Sequence, residues 1–150
     1  MGLSDDAKRL LDAPNFAHLA TLMEDGAPRV EPVWLGREGD RVLVVTDSRT
    51  HKGRNMARDA RVAISVVDLD NPYEQVLIRG RVVEVRHDDD LKGLDALSQK
   101  YLGRPFPRRK WSSRAVFVIE PSLARYYKSP LVHPRSAGNQ QPPAGPLAEE

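Results

Sequence analysis

The feature that most constrains this chain is a series of short apolar runs separated by turn signals. "NFAHLATLMEDGAPRVEPVWLG" holds two such runs on either side of "EDG", a pattern typical of a β-hairpin, predicted here over 15–23 and 29–36. After "REGD", a β-branched run at 41–46 predicts a third strand. Further strands are predicted over 60–69 and 75–87, and the run 114–127 predicts a sixth strand and a possible short seventh.

Helical patterns are few and do not alternate with the strands. Residues 4–13 predict a short helix, the basic stretch after the third strand predicts about two helical turns, and 88–103 predicts a longer helix. Because the βαβ rhythm is missing, the fold class is predicted as mainly β, a barrel with short helices. Residues 1–128 are expected to form one domain, and the Pro-, Gly- and Gln-rich residues 129–150 are expected to form a disordered tail.

Composition excludes several kinds of site. The chain has 150 residues and no cysteine, so disulfides and Cys-ligated zinc are excluded, and the four histidines are too dispersed for a compact metal motif. Lys and Arg number 23 against 21 Asp and Glu, which does not favour nucleic acid as a partner. With neither a signal peptide nor a long apolar run visible, we expect no membrane partner and a cytoplasmic location.

Positive charge is concentrated in "TDSRTHKGRNMARD", residues 46–59. Arg49 and Lys52 fall where the third strand gives way to a helix, and Gly53 and Asn55 open that helix. Helix N-terminal N–H groups with nearby cations can form an anion site, and Gly53 would let the backbone approach a bound group. A solvated helix that only keeps the chain soluble is the alternative.

The ordered series of motifs resembles a known family. "HLATLMEDGAPRVEPVWLG", "VLVVTDSRTHKGRNMARDARVAISVVDLDNPYEQVLIRGRVVEV" and "LSQKYLGRPFP" together are similar to the flavin and deazaflavin oxidoreductases, over roughly residues 5–127. These are split β-barrel proteins related in fold to pyridoxamine-phosphate oxidase. The pattern most resembles the branch that uses coenzyme F420, a deazaflavin. The resemblance implies a split β-barrel of about six to seven antiparallel strands that forms a homodimer with a cofactor groove at the interface.

The resemblance also implies roles for individual residues. The phosphodiester or the glutamate tail of F420 would be held at the strand–helix junction, and the tricyclic ring would lie along the second strand. Two residues, Trp111 and Lys128, would reach the cofactor from the other subunit. The residues implied for the phosphate or tail are Arg49, Lys52, Gly53, Asn55 and Arg79, and those implied for the ring are Pro32, Val33 and Trp34.

Reduced F420 supplies a hydride, so the expected activity is reduction of an unsaturated small organic substrate. No residue is identified as catalytic, although Tyr126 could in principle donate a proton. Two alternatives stay open: an FMN-binding oxidoreductase of the same fold, and a non-catalytic protein that binds F420, flavin or haem.

Overall fold

The computed structural model describes residues 2–107, 113–132 and 134, which form three helices and seven strands. In chain order these are α1 (Asp5–Asp12), β1 (Ala17–Leu22), β2 (Pro28–Val33), β3 (Gly36–Glu38), β4 (Arg41–Asp47), α2 (His51–Arg58), β5 (Arg61–Val67), β6 (Glu74–His87), α3 (Lys92–Leu102) and β7 (Arg114–Lys128).

The seven strands form one sheet in the order β2-β1-β5-β6-β7-β4-β3, and every neighbouring pair is antiparallel. The prediction of a mainly β fold with few helices is confirmed. The edge strands β2 and β3 are consecutive in the chain, separated only by Trp34 and Leu35. Two residues cannot span an open seven-stranded sheet, so the sheet must curl until its edges meet. Trp34 and Leu35 therefore lie at the seam of the barrel.

The strands line a single apolar core. Alternate residues of β1, β4 and β5 point inward and are buried, as the period of two along a strand requires. Phe117 and Ile119 of β7 are at most 1% exposed to solvent. Leu10 and Leu11 of α1 join this core and close one side of it.

Gly80 bends the long strand β6. The register with β7 shifts between Arg79 and Gly80, which marks a β-bulge. A Cβ at Gly80 would lie 2.4 Å from the carbonyl oxygen of Glu120, closer than any side chain tolerates. Glycine at this position therefore lets the two longest strands pair through the bend.

Several predicted elements differ from the structure. Strand β3 was not predicted as a separate strand: Gly36 was assigned to the end of the second strand, and Arg37 and Glu38 lie between the second and third predicted strands. Strand β7 is one continuous strand rather than two. Helix α3 begins at Lys92, not at 88, because Asp88 turns the chain first. The carboxylate of Asp88 accepts hydrogen bonds from the N–H groups of Gly93 (2.7 Å) and Leu94 (3.0 Å). Leu91 before the helix is left-handed, with φ of 61°.

The predicted tail from residue 129 lies largely outside the described residues. Within them, no helix is both long enough and apolar enough to span a membrane.

Candidate functional site

Two neighbouring cavities open beside the barrel seam. The first, here called the slot, has a volume of about 350 Å³ and mostly apolar walls. The second, here called the anion cavity, has a volume of about 420 Å³ and is lined by polar and charged residues. Thr46, Lys52 and Arg114 line both, so the two spaces are adjacent. The slot is lined by Phe16, Pro32, Val33, Trp34, Val45, Thr46, Lys52, Leu94, Leu97, Phe106 and Arg114, and the anion cavity by Thr46, Asp47, Arg49, Thr50, Lys52 and Arg114.

The anion cavity is built on the turn between β4 and α2. Thr50 is the N-cap of α2: its Oγ1 accepts a hydrogen bond from the N–H of Gly53 at 3.1 Å. The same hydroxyl donates to the carbonyl oxygen of Asp47 at 2.8 Å. The helix thus begins at His51, two residues earlier than the sequence suggested, and its first turn is tied back to the end of β4.

Arg49 lies in this turn and is paired with Asp47. Oδ1 of Asp47 accepts from the backbone N–H (2.9 Å) and from Nε (3.1 Å) of Arg49, and Oδ2 accepts from Nη2 (2.9 Å). The Arg49 guanidinium and backbone N–H lower the pKa of Asp47 to about 2, so this carboxylate is ionised at neutral pH. The positive charge predicted here is therefore accompanied by a negative one that the sequence argument did not weigh.

Lys52 is the cation that connects the two cavities. Its side chain is only 19% exposed, although it belongs to a short surface helix. Nζ lies 3.5 Å from Oε2 of Glu31 on β2, which holds the ammonium toward the slot. A partly shielded ammonium between an apolar slot and a polar cavity is well placed to bind an anionic group attached to a ring.

Arg114 is a third cation of the site and was not predicted from the sequence. It is the first residue of β7 and pairs in register with Asp47 of β4. Burial lowers the pKa of Arg114, while the carboxylates of Asp47 and Asp88 act in the opposite direction. Its position beside Arg49 depends on the pairing of strands separated by more than sixty residues, which spacing in the sequence does not reveal.

Aromatic side chains fix the wall of the slot. The rings of Trp34 and Tyr101 stack at 5.3 Å and 4°, and Phe106 meets Trp34 edge-on at 6.0 Å. The hydroxyl of Tyr101 donates to the carbonyl of Asn15 at 2.6 Å and accepts from the N–H of Leu35 at 3.1 Å. These bonds hold the seam, so Trp34 presents a flat, well-supported surface.

Lys100 supports the same seam from behind. Its Nζ donates to the carbonyl oxygens of Leu11 at 2.5 Å and Leu35 at 2.6 Å. Burial lowers the pKa of Lys100 to about 8. The lysine therefore joins α1, the seam and α3, and its amine faces backbone rather than the slot.

Pro32, Val33 and Trp34 line the slot, as the prediction requires. In the described sheet β2 pairs only with β1, so alternate residues of this edge strand direct backbone N–H and C=O groups away from β1. An edge strand along a flat slot can hydrogen-bond the rim of a planar ring. The proposed contacts of these three residues with a ring stay a prediction.

Gly53 and Asn55 are not among the described residues that line the two cavities, so their predicted contact with a phosphate or tail stays a prediction. A Cβ at Gly53 would lie 2.7 Å from the carbonyl oxygen of Asp47, so this glycine permits close packing of α2 on its own turn. Asn55 is 2% exposed. Its amide donates to Oγ1 of Thr21 at 3.0 Å, and its carbonyl oxygen accepts from Arg58 at 2.7 Å. Its side chain is therefore committed to joining α2 and β1.

Arg79 and Lys128 are not among the described residues that line the two cavities. Arg79 is exposed on the outer face of β6. Lys128 is exposed at the opposite end of β7 from Arg114, in register with Glu74. Trp111 lies outside the described residues. The predicted roles of these three residues in a ligand site stay a prediction.

Tyr126, the one proton donor named from the sequence, is engaged away from the slot. Its hydroxyl donates to Oε1 of Glu74 at 2.6 Å, and this carboxylate also accepts from Arg9. The pKa of Tyr126 is raised by that hydrogen bond, which makes the phenol a weaker acid. No slot-lining residue in the described part of the chain is a histidine, aspartate or glutamate.

Comparison with known proteins agrees with this architecture. The family described as pyridoxamine 5′-phosphate oxidase matches residues 3–128. A solved F420 reductase is 28% identical, with a TM-score of 0.75, and the match covers 82% of this chain and 98% of that one. No curated protein matches the sequence significantly.

Two further structures show the range of proteins with this fold. Conserved hypothetical protein Rv2991 from Mycobacterium tuberculosis is 18% identical, with a TM-score of 0.67 over 97% of this chain and 95% of that one. A heme binding protein from Mycobacterium smegmatis is 25% identical, with a TM-score of 0.61 over 81% of this chain and 52% of that one. The match to the family over most of the described residues decides the assignment: the chain belongs to the pyridoxamine 5′-phosphate oxidase family.

Proposed function

We propose that this protein is an F420-dependent oxidoreductase that reduces an unsaturated small organic substrate. The observation that carries the proposal is the continuity of the slot with the anion cavity through Thr46, Lys52 and Arg114. A planar ring joined to a phosphate needs these two environments side by side. The similarity to an F420 reductase supports the deazaflavin as that ring.

The residues present fit such a cofactor. The ring would lie against Trp34 and the edge of β2, and its phosphate would meet Lys52, Arg49 and Arg114. When bound, the deazaflavin supplies the hydride. The protein's own contribution is to orient the ring, hold the anion and exclude water with Phe106, Leu94 and Leu97. The accompanying proton is proposed to come from water or from the substrate's own groups.

We also propose that the protein is a cytoplasmic homodimer. The outer face of β1, β5 and β6 presents small side chains, Ala20, Ala63 and Ser65, beside Leu77, which is 40% exposed. Apolar side chains over small ones form a flat surface suited to a second copy of the chain. Arg79 lies on this same face, next to Ala63, so dimerisation would bring it to the interface. That geometry supports its predicted contact with a cofactor.

FMN binding is the second candidate, because the family match alone does not choose between flavin and deazaflavin. Spectra of the protein mixed in parallel with F420, FMN and haem, followed by gel filtration, test the cofactor. We expect F420 to co-elute with the protein and FMN and haem to separate from it. Co-elution of FMN or haem without F420 would contradict the F420 assignment.

Catalysis requires a separate test, since the fold also includes a heme binding protein. The F420-loaded protein should oxidise reduced F420 in the presence of a panel of enones, imines and quinones, followed by the return of deazaflavin absorbance. A tight complex that oxidises reduced F420 with none of these acceptors would indicate a binding protein.

A further inference from the structure

Two carboxylates lie close to the cations of the anion cavity, and their presence needs an explanation. Asp47 lines the anion cavity itself, with a side chain only 13% exposed. Glu31 reaches Lys52 from β2, 3.5 Å from Nζ. A cavity intended simply to collect negative charge would leave its cations without acidic neighbours.

The charges of the site sum to a single positive charge. Arg49, Lys52 and Arg114 supply three cations, and Asp47 and Glu31 supply two anions, which leaves one. Two further charges that interact with these residues cancel each other. Arg29 lies 3.6 Å from Glu31 and adds one positive charge, and Asp88 acts on Arg114 and adds one negative charge.

A site with one net positive charge discriminates between phosphate esters. The attraction between site and ligand grows in proportion to the ligand's charge, whereas the cost of removing the ligand from water grows with the square of that charge. A phosphodiester carries one negative charge, while a phosphomonoester carries nearly two above pH 7. The doubly charged ester thus gains at most twice the attraction for about four times the dehydration cost.

We propose that Glu31 and Asp47 are specificity-determining residues that make this site select a singly charged phosphodiester over a doubly charged phosphomonoester. The inference rests on the proposed function, because it assumes that the ligand's phosphate lies in the anion cavity. It supplies a physical reason for the cofactor choice: F420 presents a phosphodiester at this position, whereas FMN presents a phosphomonoester.

The test uses two ligands with the same deazaflavin ring, the 5′-phosphate monoester and its methyl diester, which differ by one charge. Their dissociation constants are measured by fluorescence titration at pH 8 and low salt. The wild-type protein should bind the diester at least about tenfold more tightly than the monoester.

The variants are Asp47→Asn and Glu31→Gln. Asparagine at 47 can still accept the hydrogen bond from the N–H of Arg49, so the turn is retained. Each substitution removes one negative charge from the site. That charge repels the monoester, which carries nearly two negative charges, about twice as strongly as it repels the diester, which carries one. If the diester gains about threefold in affinity, the monoester should gain about tenfold. Glu31→Gln lies on a different element, so it keeps the inference testable if Asp47→Asn fails to fold.

Asp59→Asn is a matched control. Asp59 and Arg61 repeat the geometry of Asp47 and Arg49: Oδ1 of Asp59 accepts from the N–H (3.1 Å) and Nε (3.0 Å) of Arg61, and Oδ2 accepts from Nη2 (2.7 Å). This pair follows the other end of α2 and is not among the lining residues of either cavity. Asp59→Asn should leave both affinities within about twofold of wild type.

Equal binding of the two esters by the wild-type protein would overturn the inference, as would equal gains for both esters in the two variants. Each of these results would still leave a deazaflavin phosphate bound, so the proposed function would stand. If neither ester binds the wild-type protein, the proposed function itself fails and the inference falls with it.

Discussion

Arg49, a basic residue of the anion cavity, is paired with the carboxylate of its neighbour Asp47. The side chain of Arg49 is 69% exposed and that of Asp47 only 13%, and three hydrogen bonds connect the two residues. Because the carboxylate accepts bonds from both the side chain and the backbone of Arg49, its pKa is about 2 rather than 3.8. The turn thereby holds a fixed anion next to the cavity at every physiological pH.

Replacing Arg49 with alanine should raise the pKa of Asp47 toward 3.8, because the largest source of the depression is removed. In the wild-type protein, the stability from this depressed pKa is fully present above about pH 3.8 and is lost as pH falls through about 2. The stability difference between wild type and variant should therefore shrink over that range. NMR titration of the carboxyl carbons measures the pKa. Arg61→Ala is the control and should move Asp59 but leave Asp47 at about 2.

Asn55 should prove to be structural. Asn55→Ala removes the hydrogen bonds that Asn55 makes with Thr21 of β1 and Arg58 of α2, and it should lower the free energy of unfolding by about 1–3 kcal/mol. Urea denaturation measures this loss. Affinity for F420, measured where the variant is fully folded, should stay within about threefold of wild type. An unchanged stability with a large loss of affinity would restore the direct ligand role expected from the sequence.

The residues that line the site could be predicted from the sequence only in part. The sequence located the basic turn, and Arg49 and Lys52 do line the cavities. It could not separate them from Gly53 and Asn55, because residues on one short helix face the core or the cavity according to helix orientation. It missed Arg114 and Glu31, because their proximity to the turn depends on the pairing and curvature of strands distant in sequence. It also did not weigh Asp47, although this carboxylate lies two residues from Arg49 in the sequence.

At the level of elements, α3 connects the slot to the rest of the fold. Its residues Leu94 and Leu97 line the slot, and Asp88 fixes the start of the helix by accepting two backbone hydrogen bonds. Asp88 is the first of three aspartates before the helix, where negative charge is favoured. The predicted start at residue 88 was nevertheless early, because the capping residue and the left-handed Leu91 precede the first helical turn.

Asp88→Ala should therefore loosen both the helix and the slot. Loss of the two hydrogen bonds should lower the free energy of unfolding by about 1–2 kcal/mol and weaken F420 binding severalfold, because Leu94 moves with the helix. Thermal denaturation and fluorescence titration measure the two effects. The exposed neighbour Asp89 provides the control. If Asp89→Ala matches Asp88→Ala, the loss reflects charge near the helix rather than capping.

Strand prediction succeeded where the apolar alternation was strong and failed at β3. Strands β1, β4 and β5 have the period of two that a half-buried sheet imposes, and their predicted bounds agree with the structure to within two residues. β3 has three residues and includes a glycine and two charges, so no alternation reveals it. It forms because the closing barrel brings it beside β4.

At the scale of the whole molecule, the outer face of β1, β5 and β6 is the surface proposed to form the dimer. Leu77→Glu introduces a charge into the proposed dimer surface beside Ser65. Sedimentation should give a mass near twice the 16.8 kDa of one chain for wild type and near that of one chain for the variant. F420 affinity should fall with dissociation if residues such as Arg79 act across the interface. Leu102→Glu, at the exposed end of α3, should remain dimeric. A monomeric wild-type protein would contradict the proposed dimer.

The central claim is that Lys52 connects an apolar slot to an anion cavity in which the phosphate of F420 binds. Fluorescence titration of the wild-type protein, Lys52→Ala and Lys92→Ala with F420 tests it most directly. Lys92 is 87% exposed and is not among the residues that line the slot or the anion cavity. Lys92→Ala therefore removes the same positive charge as Lys52→Ala, but away from the two cavities. We predict a rise in the dissociation constant of roughly tenfold to hundredfold for Lys52→Ala and less than about twofold for Lys92→Ala. Equal effects of the two substitutions, or no effect of Lys52→Ala on a folded protein, would contradict the claim.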